Sequence, residues 1–245
     1  ANVVQALVVN KAAATVALGG LAATYTGTPR VVTATTTPPS IPVVITYDGG
    51  ATAPTNVGSY PVVATINSPN YQGSQNGTLV IAKGEQTITF AALGQKVFTD
   101  GTLTLTATAS SGLPVSFTSS NPAVATVAGN TVTFVAVGTT TITANQPGDT
   151  NYNAAPGVGR DLEIVPALQT ITFDALPAKA VGDAPFALGA TASSGLAVSY
   201  TSSNAAVATV SGSTVTIVGA GTTTITASQA GNANFGAAPP VPRAL

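Results

Sequence analysis

Thr118-Ser119-Ser120-Asn121-Pro122-Ala123-Val124-Ala125-Thr126-Val127-Ala128-Gly129-Asn130-Thr131-Val132-Thr133-Phe134 is the stretch on which the fold turns. Asn121-Pro122 and Gly129-Asn130 are turn formers, and between and after them apolar residues alternate with hydroxylated or small ones. A period of two places Val132 and Phe134 on one face of an extended segment and Thr131 and Thr133 on the other, which predicts a strand with one face in a core and one in water. Working outward, the same alternation predicts strands over 86–90, 103–109, 115–119, 124–128, 131–135, 139–146 and 160–165. Seven short strands in about 80 residues, with turn residues between them, describe a two-sheet antiparallel sandwich. No segment carries a helical period.

The stretch has a copy. Residues 86–168 align with 169–245 at a constant offset of 83: Gln86-Thr87-Ile88-Thr89-Phe90 returns as Gln169-Thr170-Ile171-Thr172-Phe173, and Thr118-Ser119-Ser120-Asn121 as Thr201-Ser202-Ser203-Asn204. An ungapped repeat of domain size marks modules in tandem. A second offset, of 72, relates Leu7-Val8-Val9-Asn10-Lys11 to Leu79-Val80-Ile81-Ala82-Lys83. The chain therefore divides into an orphan strand (1–11), a β domain (12–85) and two sandwiches (86–168 and 169–245). Short junctions at 83–85 and 166–168 imply an elongated array.

The two ends are complementary in this reading. Arg243, Ala244 and Leu245 align with Arg160, Asp161 and Leu162, so the last sandwich stops inside its closing strand and lacks that strand as a complete element. Residues 1–11 offer a spare one, with Val4, Ala6 and Val8 on one face and Val3, Gln5, Leu7 and Val9 on the other. Residues Val3, Val4, Gln5, Ala6, Leu7, Val8 and Val9 are thus the candidate intersubunit strand, and Arg243, Ala244 and Leu245 the candidate acceptor end. The partner implied is another copy of the chain, joined head to tail. The competing reading is that both ends are cut from a longer chain, whose neighbouring domains are then the partners.

Composition narrows the function classes. Seven basic and eight acidic residues in 245, a net charge of −1 and a mean hydropathy of +0.39 leave no basic footprint for nucleic acid or an anionic membrane surface. The apolar residues are interleaved with Thr and Ser, so no run reaches the roughly 20 needed for a membrane helix. Cys, His, Met and Trp are absent. There is consequently no Ser-His-Asp arrangement, thiol nucleophile or disulfide framework, and a chain without oxidisable side chains suits an extracellular setting.

Other chemistry is thinly represented, and neither enzyme activity nor a cofactor or metal is expected. Asp161 and Glu163 share a strand face, which reads first as a solvated edge. Asp149, Asn151 and Asn153 could present oxygens to a cation, but Asx turn capping accounts for them better. Asn76-Gly77-Thr78 reads first as a hairpin turn and only second as a glycan acceptor. Lys96 with Asp100, and Lys179 with Asp183, stand at equivalent sites and permit a contact within each module. Phe90, Phe117, Phe134, Phe173 and Tyr200 fall at inward positions, leaving no aromatic platform for a sugar.

The run Ser119-Ser120-Asn121-Pro122-Ala123-Val124-Ala125-Thr126-Val127, followed by Gly129, Val132 and Gly138-Thr139-Thr140-Thr141-Ile142-Thr143-Ala144, resembles the bacterial immunoglobulin-like domains of surface adhesins and intimin-type proteins. Residues 12–85 are similar to bacterial MBG domains through Tyr25-Thr26-Gly27-Thr28-Pro29, Thr46-Tyr47-Asp48-Gly49, Ala53-Pro54-Thr55-Asn56-Val57-Gly58-Ser59-Tyr60 and Asn70-Tyr71-Gln72-Gly73. These resemblances imply an extracellular or cell-surface structural protein of bacterial type. The resulting function is a subunit of a self-assembling filament or sheath. The alternatives are a monomeric spacer in a large adhesin and, more remotely, a carbohydrate-binding accessory of a secreted enzyme.

Overall fold

A computed structural model describes residues 7–245, and these are β throughout. Among the described residues the only helical element is the single 3-10 turn Phe98–Asp100. The chain forms two compact units, and the division runs through the first 83-residue repeat. One unit holds the chain up to Thr89 with Thr108–Val115 and Asn145–Gly157; the other holds Phe90–Ala107, Ser116–Ala144 and Val158–Leu245.

In the first unit a four-stranded sheet runs in the order Ala22–Thr24, Ser74–Ala82, Gly58–Ile66, Val43–Tyr47. Its first pair is parallel and the others antiparallel. Thr15–Gly19 pairs with Thr33–Thr37 in a second layer. Val62, Leu79 and Ile81 alternate inward with period two and meet Val32 and Tyr47 in the core. The Tyr47 hydroxyl accepts the buried Val32 N–H at 2.8 Å, so the phenol satisfies a backbone donor where no strand can.

Asn76-Gly77 is not a hairpin turn. It lies inside Ser74–Ala82, opposite Val63 and Val62. A Cβ on Gly77 would stand 2.9 Å from Leu18 Cδ1 and 3.2 Å from Leu21 Cδ1, so the glycine lets the second layer approach the sheet. Packing from distant residues overrides the local turn preference of Asn-Gly.

In the second unit, the first repeat forms a sheet ordered Gln95–Val97, Val158–Val165, Gly138–Asn145, Ser116–Ser119, faced by Thr102–Thr104, Thr131–Phe134, Ala125–Ala128. Thr133 sits opposite both Thr102 and Thr126 and is exposed, whereas Val132 and Phe134 are buried, which is the expected register. The expected strand 103–109 breaks in two, Thr102–Thr104 and Ala107–Ala109. The second repeat mirrors the first with Phe186–Ala187, Thr214–Ile217, Ala208–Ser211 in one sheet and Ser199–Ser202, Thr224–Ser228, Val241–Ala244 in the other. Phe173 and Tyr200 pack at 5.7 Å in its core, as Phe90 and Phe117 do at 5.5 Å in the first.

The repeated Thr-Ser-Ser-Asn has a structural cause. Buried Thr140 shares a hydrogen bond with Ser119 at 2.8 Å and accepts the Asn121 N–H at 3.0 Å; Thr223 repeats this with Ser202 and Asn204. Each threonine joins the turn after one strand to the neighbouring strand.

Candidate functional site

Two features of the sequence converge on surfaces that could bind another module: the loop before each closing strand, and the end of the second repeat. The loop occurs three times, as Ser68-Pro69-Asn70-Tyr71, Asp149-Thr150-Asn151-Tyr152 and Asn232-Ala233-Asn234-Phe235. In each, the first residue's side-chain oxygen caps the asparagine N–H, from Ser68 at 3.2 Å, Asp149 at 2.8 Å and Asn232 at 2.8 Å. Each asparagine carbonyl then accepts a backbone N–H from the linker that enters its module, Ala12, Gly84 or Ala167, at 2.9 Å. The expected Asx capping is therefore present, but the asparagine side chains have a further task.

Within the first unit, Asn151 Oδ1 accepts the Val57 N–H at 3.1 Å, and the Tyr152 ring meets Tyr25 edge-on with centroids 5.2 Å apart. Gly84 makes this approach possible, because a Cβ there would lie 2.8 Å from the Tyr25 carbonyl oxygen. Within the second unit, Asn234 Oδ1 accepts the Val137 N–H at 3.3 Å and Phe235 meets Phe98 at 6.3 Å. One geometry thus joins 12–85 to the loop of the first repeat and the first repeat to the loop of the second. Asn151 and Asn234 are half-buried by these contacts, while Asn70 is exposed. Asn234→Ala removes the acceptor for Val137 and is expected to destabilise the second unit by about 1 kcal/mol in denaturant titration, with Asn232→Ala adding a separate loss of loop capping.

The acceptor end differs from expectation. Val241–Ala244 is a strand, paired with Thr224–Ser228 from Thr224↔Ala244 to Ala227↔Val241. Leu245 exchanges both backbone hydrogen bonds with Thr223. Arg243 Nε donates to the Phe173 carbonyl at 2.8 Å, as Arg160 Nε does to Phe90 at 2.9 Å. The closing strand is thus present, and the backbone pairing that was expected to be open is made by the chain itself. The two repeats differ beside it. In the first repeat Glu163–Val165 runs parallel to Gln95–Val97, and Ile164 is fully buried. In the second, residues 178–180, which match Gln95–Val97, are exposed and outside any strand. A groove lined by Lys179, Val181, Val207, Ile217, Gly221 and Leu245 occupies the corresponding place.

Of the candidate intersubunit strand, Val3, Val4, Gln5 and Ala6 lie outside the described residues. Leu7, Val8 and Val9 are outside any strand and exposed; Leu7 and Val9 are 88% and 82% exposed, although their matches Leu79 and Ile81 are buried.

The remaining candidates are placed as surface groups. Asp161 accepts from the Thr141 hydroxyl and Glu163 from Gln95. Where the spacing permits a Lys–Asp contact, the carboxylates cap turns: Asp100 and Asp183 accept the N–H groups of Val97 and Ala180, and Lys179 Nζ stands 4.9 Å from the centre of the Phe186 ring. Among the described residues no group of three or more acidic side chains could hold a metal, and no helix is long and apolar enough to cross a membrane.

No curated protein sequence matches the chain. Among solved structures it is similar to mouse protocadherin-24 EC1-3 (10% identity, TM-score 0.34, covering 99% of each chain). It is also similar to the surface layer protein SbsC, domains 4–9 (17% identity, TM-score 0.29, covering 82% of this chain and 38% of that one). Residues 14–85 match the MBG domain family, in agreement with the resemblance read from Tyr25-Thr26-Gly27 and Asn70-Tyr71-Gln72-Gly73.

Proposed function

We propose that the chain is an extracellular structural protein of bacterial type, a non-enzymatic tandem of one MBG domain (12–85) and two immunoglobulin-like sandwiches (86–168 and 169–245), whose copies join head to tail into a filament. The observation that carries this is the mismatch between Leu7 and Val9, apolar and exposed, and their matches Leu79 and Ile81, which close a core. The strand 3–9 of one copy takes the edge of Thr224–Ser228 in another, with Leu7 on the site of Leu245 and Val9 in the groove. Pro242 favours the exchange, because it leaves the resident strand without one ladder donor. Strand addition of this kind is heterologous and adds one copy to the next.

A second reading, a spacer within a large adhesin, is favoured by the resident Val241–Ala244 strand, which already covers most of that edge. A sugar-binding role has less support, since among the described residues the exposed large hydrophobic ones are Leu and Val, not aromatic. Light scattering on the purified chain decides between the first two. A mass that rises with concentration, and falls to that of one copy when residues 1–11 are deleted, supports the filament. A single mass at every concentration supports the spacer.

A further inference from the structure

We propose that the Asn70-Tyr71 loop is a third docking loop, and that its occupant is the groove end of a second copy, around Val181 and Ala220. This rests on the head-to-tail reading and names a contact that strand exchange alone does not require.

The loop is built like the two that are docked. Ser68 caps Asn70, the Asn70 carbonyl holds Ala12, and Ala12–Ala13 pairs parallel with Tyr71–Gln72 as Gly84 bridges Tyr152 and Ala167 bridges Phe235. Lys11 Nζ donates to the Ser68 carbonyl at 2.7 Å, the same brace that its match Lys83 makes to Asp149. The loop thus shares the asparagine cap and the linker bridge of the docked loops, without the second cap that Asp149 and Asn232 place on the Tyr152 and Phe235 N–H groups; its asparagine side chain is exposed and a shallow groove lined by Val9, Lys11, Pro69 and Tyr71 opens beside it.

The complementary half is on the second repeat. At the offset of 83, Phe98 becomes Val181 and Val137 becomes Ala220. Val181 is 61% exposed, and the Ala220 N–H, which corresponds to the donor that Val137 gives to Asn234, has no acceptor among the described residues. Both residues line the groove beside Leu245. An exposed apolar side chain beside an unpaired donor matches an aromatic ring beside an unpaired acceptor, and docking would satisfy both. Each face carries one lysine, Lys11 beside the loop and Lys179 in the groove, and Lys11 is already engaged by the Ser68 carbonyl.

Strand exchange and docking agree in register. In the first repeat Ala167 at the bridge lies three positions after buried Ile164, and Ala12 lies three positions after Val9. A copy whose Val9 fills the groove therefore carries its Ala12 and Tyr71 to the place that Ala167 and Phe235 hold against Phe98 and Val137.

The chain has no cysteine, so disulfide trapping tests the contact directly. Val137→Cys with Asn234→Cys should oxidise within one chain, which calibrates the geometry. Asn70→Cys with Ala220→Cys should oxidise between chains and give a ladder on non-reducing gels, while each single variant gives dimers at most. Thermal unfolding of the reduced variants confirms that they fold. A ladder that persists when residues 1–11 are deleted supports the docking contact and overturns strand exchange. Association seen by light scattering without a ladder overturns the docking contact and leaves strand exchange standing. A single mass together with no ladder overturns both.

Discussion

Phe134→Ala is expected to destabilise the second unit by about 3–5 kcal/mol, the range found when a buried aromatic is truncated and its cavity only partly collapses. Phe134 lies in the centre strand of its sheet, between Thr102–Thr104 and Ala125–Ala128, and faces inward with Val132. Its exposed neighbour Thr133 pairs with Thr102 and Thr126 on the outer face, so Thr133→Ala should cost less than about 1 kcal/mol. Chemical denaturation followed by intrinsic fluorescence or circular dichroism separates the two. Equal losses would mean that the strand carries its faces the other way round, because a one-residue slip exchanges every inward and outward side chain.

Gln86→Leu is the second large effect. Gln86 is 3% exposed and serves several partners at once: its Nε2 donates to Gln146 Oε1 at 2.8 Å and to the Asn153 carbonyl at 2.7 Å, and its Oε1 accepts the Ser111 hydroxyl. Gln146 in turn accepts the Gly148 N–H and donates to the Pro114 carbonyl. Leucine fits the volume but leaves these groups without a partner in a site that excludes water. The expected loss is about 2–4 kcal/mol in the first unit, more than the deletion of an exposed hydrogen bond. The same arrangement recurs around Gln169 with Gln229, Ser194 and Gly236, so Gln169→Leu should act alike in the second unit. A loss below about 0.5 kcal/mol at both positions would show that the network does not hold the docking loops.

These two predictions mark how far the sequence could be read. Alternation is local, so Phe134, Val132 and Thr133 could be assigned their faces from neighbouring residues alone, and the offset of 83 carried those assignments to Val215 and Ile217. Gln86 shows the limit. It reads as the start of a strand, but it lies before Ile88–Phe90 and is buried as a polar hub because residues 60 and 67 positions away close over it. Asn151 and Asn234 show the same limit at the candidate site: their side chains reach Val57 and Val137, 94 and 97 positions back. The threefold recurrence of a capping residue, a spacer, asparagine and an aromatic was the available signal. Each copy taken alone resembles an ordinary turn, and only the set shows a shared task. Gly77 failed for a related reason, since what demands a glycine there is Leu18 and Leu21 rather than the chain on either side.

The parallel pairing of Gln95–Val97 with Glu163–Val165 has a mechanical consequence. Tension that reaches these strands from the two ends of the repeat pulls them in opposite senses along one line of hydrogen bonds, so the bonds must slide and fail together instead of parting one by one. The second repeat has no such pairing at 178–180, and its final strand is held by antiparallel bonds to Thr223–Ser228 and by Arg243 on the Phe173 carbonyl. In the head-to-tail assembly we propose, a strand laid into the groove beside residues 178–180 would give the second repeat the same shear latch as the first, and the receiving module would be hardened by the strand it accepts.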